Sequence, residues 1–168
     1  GWCCARVRQG GRPAGKADVR PGGEGMGPAV GDHVTATYGF GKGVGGTFGT
    51  HKAGRPREES KRFGLTVYGT KGVVTVGTGS LPPAWFCPDP TWTGREGKWQ
   101  EVTSAGVGKP ETLKAPGLGP GNVWIVKDLL EAIEKDRQPL GSMYDGRAAL
   151  EMILAVYESH RTGLPASL

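Results

Sequence analysis

DHVTATYGFGKGVGGTFGTH, Asp32 to His51, is the stretch from which the fold is read. Val34, Ala36, Tyr38 and Phe40 fall on one side of an extended chain, and His33, Thr35, Thr37 and Gly39 on the other. A period of two with unlike faces marks a half-buried strand. Gly41-Lys42-Gly43 then turns the chain into a second extended run, Val44–His51, in which Thr47 and Phe48 mark the two faces. The spacing predicts a long antiparallel hairpin at the centre of a sheet. Gly41, Gly43 and Gly46 also spell G-x-G-x-x-G. That fingerprint has meaning only where it ends a buried strand and opens a helix whose amides hold a pyrophosphate. Here a strand-like run follows, and no acidic residue closes a second strand about twenty residues on. The motif is read as a hairpin turn.

A chain of 168 residues has room for one domain with one core. Only 36% of it is apolar, and its 31 glycines gather in Gly10–Gly31 and Gly94–Gly121, where loops are expected. No apolar run approaches the length of a membrane span. The opening Gly-Trp-Cys-Cys carries no initiator methionine and already has strand character, so the chain reads as a piece of something longer. A net charge of +5 raises nucleic acid as a partner. The densest basic stretch, Lys52–Arg62, carries no interleaved aromatic residue to stack on bases, and no basic helix accompanies it. It is read as a solvated loop, with attraction of an anionic or sugar ligand as the lesser alternative. Cys3 and Cys4 are adjacent, so a strand sends them to opposite faces, and Cys87 stands alone. Without CxxC or His-x-His spacing they predict no metal site and read as reduced thiols, with a lean to the cytoplasm.

Along the chain, Trp2–Val7 reads as a strand, and Gln9–Gly31 as a Gly/Pro-rich excursion too broken for helix or strand. A loop of that length is either functional or disordered. Phe63–Tyr68 and Val73–Thr78 flank Gly69-Thr70-Lys71-Gly72 as a second hairpin, and Ala84–Cys87 and Lys98–Val102 supply short edge strands. After Pro120 the period changes. Asn122 is read as an N-cap, with Val123, Val126, Leu130 and Ile133 at helical spacing until Arg137-Gln138-Pro139. Ser142 caps a last helix with Asp145 three residues on; Ala149, Met152, Ile153 and Val156 form its apolar stripe, and Gly163 stops it. Strands first and helices last predict an α+β domain: a largely antiparallel sheet of about six strands, the C-terminal helices on one face. The other face, with Thr35, Thr37, Thr47, Thr66 and Tyr68, is left open for oligomerisation.

Three stretches carry a resemblance. Val67-Tyr68-Gly69-Thr70-Lys71-Gly72-Val73-Val74 resembles a hairpin of the Gfo/Idh/MocA oxidoreductases, the glucose–fructose oxidoreductase and inositol dehydrogenase group. Asp128–Ile133 followed by Arg137-Gln138-Pro139 is similar to a helix of that family. Asp145-Gly146-Arg147-Ala148-Ala149-Leu150 through Ala155, Ser159 and Gly163-Leu164-Pro165 is similar to its closing helix. Together, in order, they span about Asp32–Pro165.

The resemblance implies the C-terminal domain of a two-domain NAD(P)-dependent enzyme that passes hydride between the cofactor and a sugar or polyol carbon. It implies an N-terminal Rossmann domain, absent from these residues, that holds NAD or NADP. The family's E-K-P motif has no counterpart, since Lys109-Pro110 lacks the preceding acid, and its D-x-x-x-H helix would lie before Trp2. No catalytic residue is therefore assigned, and this piece alone is expected to be inert. The implied contribution is substrate contact and a homo-oligomer interface, with His51, Arg55, Arg57 and Asn122 as the substrate-contact candidates. The residues alone favour the plainer readings: a surface histidine, solvated arginines and an N-cap. His33 and His160 read as sheet-face and helix-surface residues. Trp85, Trp92, Trp99 and Trp124 read as packing over the sheet rather than stacking on sugar rings. The rival function is a non-catalytic carbohydrate- or protein-binding module; nucleic acid and membrane are not expected partners.

Overall fold

The computed structural model describes residues 1–22, 27–51, 64–77, 84–92, 98–112 and 118–168, the side chains of 118–120 excepted. In chain order the strands are β1 (Trp2–Gln9), β2 (Arg12–Pro13), β3 (Arg20–Pro21), β4 (Pro28–Ala29), β5 (His33–Gly41) and β6 (Val44–His51). Then come β7 (Gly64–Gly69), β8 (Gly72–Gly77), β9 (Ala84–Cys87), β10 (Gln100–Thr103) and β11 (Gly106–Val107). Helices α1 (Leu118–Glu134) and α2 (Met143–Thr162) follow, and β12 (Ala166–Ser167) ends the chain. The chain divides into two compact units, one of Gly1–Gly54 with Leu140–Leu168, the other of Arg55–Pro139.

The first unit is built on a sheet in the order β12-β1-β5-β6, with β2 paired to the far end of β1, all antiparallel. Alternation in Trp2–Val7 decides its faces: Cys3, Ala5 and Val7 are buried, and Trp2, Cys4 and Arg6 are exposed. Opposite them, Ala36 and Tyr38 of β5 are buried, so the face read from Asp32–His51 is the core face. Phe40 departs from that reading and is exposed, because the register shifts between Gly39 and Gly41 as the strand nears its turn. Its ring still stacks on Tyr38, with centroids 5.8 Å apart. The turn is the expected two-residue hairpin, with Lys42 and Gly43 both left-handed at φ 49° and 76°. This type I′ geometry matches the twist of the strands, though a lysine at its first position is strained.

Helix α2 covers the core face through its second half. Its start is as read: the Ser142 Oγ accepts from the Asp145 N–H, and Asp145 Oδ2 accepts from the Ser142 N–H at 2.9 Å. That bonding to Ser142 holds the Asp145 carboxyl below its ordinary pKa. Gly163, at φ 74°, ends the helix. The buried stripe differs from the one expected. Ala155, Val156 and Ser159 are buried and Met152 is half-buried, while Ala149 and Ile153 are exposed.

Hydrogen bonding supplies the reason. Between Cys3, where β12 stops, and Arg8, where β2 begins, strand β1 has no strand on that side, so the outward amides of this gap need other partners. Ser159 Oγ accepts from the Ala5 N–H at 3.0 Å, and His160 Nδ1 accepts from the Val7 N–H at 3.3 Å. His160 therefore carries its proton on Nε2, which donates to the Ala14 carbonyl at 2.9 Å. It is not a plain helix-surface residue: it joins α2, β1 and the excursion after β1. In its described residues that excursion is more ordered than its composition implies. It holds β2, a 3-10 turn at Lys16–Asp18 and the β3–β4 ribbon, and Arg12 pairs with Asp18, holding that carboxyl down to about 2.

The second unit contains a meander in the order β11-β10-β9-β8-β7. The fold class is α+β and antiparallel as expected, but among the described residues the strands form two five-stranded sheets and the β3–β4 ribbon rather than one sheet of about six. Strand β6 takes no further neighbour there, and its Gly45, Gly46 and Gly49 offer little side-chain surface to bury against one. The Gly69–Gly72 turn is where it was read, and Gly72 is required there. A Cβ at that position would lie 2.2 Å from the Cys87 carbonyl oxygen of β9.

Helix α1 starts four residues before Asn122, counting from Leu118, so Asn122 lies within the helix and is not its cap. Pro120 is no obstacle, because the first amides of a helix have no intrahelical acceptor to lose. The helix ends in a Schellman turn: Asp136 is left-handed at φ 47°, and the Arg137 N–H donates to the Ala132 carbonyl at 3.0 Å. Val123, Val126, Leu130 and Ile133 are exposed rather than buried, and it is Ala132 that is covered.

Two outcomes are expected. Ser159→Ala strands the buried Ala5 amide and should lower unfolding free energy by about 1–3 kcal/mol in urea titration. Lys42→Asn relieves the left-handed turn and should raise it by about 0.5–1 kcal/mol.

Candidate functional site

The face of the first sheet turned away from α2 is assembled by register. Cross-strand partners share a face, so Trp2, Gly39 and Gly45 form one row, and Cys4, Thr37 and Thr47 the next. Arg6, Thr35 and Gly49 form a third row, and Arg8, His33 and His51 a fourth. In the first row the Trp2 indole lies flat over Gly39, where a Cβ would come within 2.4 Å of the ring. Any side chain at position 39 would lift the tryptophan off the sheet.

The middle rows enclose a shallow concavity of about 540 Å³, with Cys4, Arg6, Thr35, Thr37, Thr47 and Gly49 among its lining. The sheet contributes three hydroxyls, a thiol and a guanidinium to it; α2 adds Ser159, whose hydroxyl is already bonded to the Ala5 amide, and Gly163 closes that helix at its edge. Arg6 spends one N–H on the Ala5 carbonyl at 3.0 Å and keeps the rest of its fork for other acceptors. Strands β1, β5, β6 and β12 contain no Asp or Glu, so the face has cations and no carboxylate. Hydroxyl, thiol and cationic groups of this kind are chemically suited to hydroxyl-bearing and anionic ligands. Thr35, Thr37 and Thr47 lie where they were expected. Thr66 and Tyr68 belong to the other sheet, where the Thr66 and Thr75 hydroxyls meet at 3.2 Å. Cys4 and Arg6 were not singled out from the sequence, although the alternation of Trp2–Val7 already places them together.

Of the substrate-contact candidates, His51 closes the fourth row. Its Nδ1 is 3.3 Å from that of His33, with the rings edge-on and their centroids 5.1 Å apart. Arg55 and Arg57 lie outside the described residues. Asn122 is exposed on α1, in the second unit. The G-x-G-x-x-G glycines form the turn and strand of a hairpin, so they build no cradle for a dinucleotide pyrophosphate.

A second polar cluster lies in the other unit. Asp89, 4% exposed, accepts from the Thr91 N–H at 2.9 Å, the Thr91 hydroxyl at 2.6 Å and the Lys98 ammonium at 2.8 Å. Lys98 above all, and then Thr91, hold its carboxyl well below the usual range. The cluster fixes the turn that carries Trp92, whose Nε1–H donates to the Gly69 carbonyl at 2.8 Å and whose ring lies against Tyr68. Trp92 thus packs on the Gly69–Gly72 turn and stays half exposed, rather than lying over the sheet. A carboxylate so fully engaged is a structural group rather than a base.

Cys3 is buried, and desolvation raises its thiol pKa against the opposing hydrogen bond with Tyr38. It is an inert packing residue; Cys4, one position on, is exposed. Among the described residues no three His, Cys, Asp or Glu side chains gather as a metal site, and no helix is long and apolar enough to cross a membrane. Compared with known families, curated proteins and solved structures, the chain finds no match.

The engagement of Asp89 has a pH consequence. Its folded-state pKa is depressed, so the stability it contributes is present above the ordinary carboxylate pKa of about 4 and lost as pH falls below it. Asp89→Asn should flatten that part of the acid limb when urea midpoints are measured against pH.

Proposed function

We propose that this chain is the substrate-facing and subunit-pairing part of an NAD(P)-dependent oxidoreductase of the Gfo/Idh/MocA type, acting on a sugar, polyol or related carbohydrate. In this reading the nicotinamide cofactor is held by a Rossmann domain outside these residues, and the G-x-G-x-x-G glycines serve a hairpin instead. Three features support the reading: the antiparallel sheet backed by α2, the tight turn at Gly69–Gly72, and the capping box at Ser142–Asp145. The observation that carries it is the open face itself, rich in hydroxyls and free of carboxylates, opposite the face that α2 covers.

Pairing through that face has to keep cation from cation. A two-fold axis running along the Cys4–Thr37–Thr47 row does so, since it inverts the order of the rows between two copies. Each Arg6 then meets the Trp2 row of the other copy, a cation–π arrangement in place of a repulsion. The Arg8–His33–His51 row falls beyond the overlap and stays open to substrate. The same axis brings the two Cys4 residues opposite each other across sheets about 10 Å apart.

Sedimentation equilibrium should report a dimer that Thr37→Arg converts to monomer. A bis-maleimide spanning about 10 Å should join two copies through Cys4. A monomeric native chain without Cys4 cross-linking removes the pairing, and tight binding of NAD(H) to this chain alone removes the division of labour.

A further inference from the structure

We propose that His33 and His51 form a two-nitrogen chelate for a divalent transition metal of the zinc, nickel and copper class at the open end of the β5–β6 hairpin. The two residues are direct cross-strand partners, which fixes their Cα positions through the ladder rather than through a loop. Their Nδ1 atoms are 3.3 Å apart. Two nitrogens bound at about 2.0–2.1 Å to one tetrahedral centre are separated by about 3.3–3.4 Å, so the rings already stand at the bite distance of such an ion. Imidazole is a favoured ligand for these metals, and rotation of each ring about its Cβ–Cγ bond turns the two nitrogens toward a common ion.

Without metal, a 3.3 Å contact between two Nδ1 atoms is held by one proton: one ring donates and the other accepts. Metal takes the place of that proton. In a neutral pair the donating ring shifts its hydrogen to Nε2, and both Nδ1 lone pairs then face the ion, with no net proton released.

The surroundings permit this. His51 is exposed and His33 half-buried, so the approach is open. Arg8, in the same row, is the cation facing the pair, and its guanidinium is drawn aside by donating to the Gly11 carbonyl at 2.9 Å. Asp32 is occupied with the Gly10 N–H at 2.8 Å and the Gln9 side chain at 3.2 Å, so it does not compete. With no third protein ligand among the described residues, two coordination positions are left for water or for hydroxyl oxygens of a bound ligand. A metal here also clips residues 18 positions apart in sequence, and so favours the folded hairpin.

The test is titration of the full chain with Zn²⁺ in a non-chelating buffer, read by calorimetry and by thermal unfolding. One ion per chain should bind saturably and raise the melting temperature. His33→Gln and His51→Gln should each weaken binding at least tenfold and abolish the thermal shift, while Cys4→Ser leaves both intact. Native-like Zn²⁺ affinity in either histidine variant, loss of binding in Cys4→Ser, or no saturable binding by the native chain would each overturn the proposal. Both histidine variants sit at the rim of the sheet, and unchanged melting temperatures without metal show that they fold.

Discussion

The first unit depends on how one strand edge is closed. Strand β1 is central to the sheet, yet between Cys3 and Arg8 it has a strand on only one side. Its remaining amides would be buried under a helix with nothing to bond, a cost of about 1–3 kcal/mol for each orphan. Two successive residues of α2 remove that cost, Ser159 for the Ala5 amide and His160 for the Val7 amide. These side chains act as a surrogate strand, and they explain why the second half of α2 is the half that packs. They also draw the excursion after β1 into the core, through His160 to Ala14 and through the Tyr157 hydroxyl to the Val30 carbonyl.

Closing that side of the sheet defines the other. With α2 committed to Cys3, Ala5 and Val7, the alternate residues Cys4, Arg6 and Arg8 join the threonines and histidines of the hairpin on the open face. What results is a surface of graded chemistry: an aromatic row, two hydroxyl-bearing rows and a cationic, imidazole-bearing row. An apolar groove of about 380 Å³ on the helix side, lined by Val34, Tyr38, Phe48, Met152 and Ile153, belongs to the same geometry. It exists because α2 leans on β1 rather than lying over the hairpin.

Much of this was legible in the residues. Both tight turns, the split of Cys3 from Cys4, the capping box at Ser142 and the stop at Gly163 rest on interactions within a few positions of each other, and local chemistry decides them. The apolar stripe of α2 was half legible. Periodicity found Met152 and Val156 but put Ala149 and Ile153 in the core, and it gave no weight to Ser159, a polar residue buried for a bonding reason. Asn122 looked like a cap because side chains of its type usually are; a helix that began at Leu118 left it in the interior. Of the site candidates, His51 gained a partner that alternation alone does not give, since His33 meets it only through the register of the ladder.

The amino-acid sequence by itself determined the α+β class, the two hairpins and which residues share a strand face, because those follow from steric periodicity and turn stereochemistry. Tertiary structure alone decided that the strands divide between two sheets. It alone decided, too, that Ser159 and His160 complete an edge and that His33 stands at bonding distance from His51. Those outcomes depend on partners as much as 154 positions away, for the Ala5 amide and Ser159, and no local pattern encodes where such groups will meet.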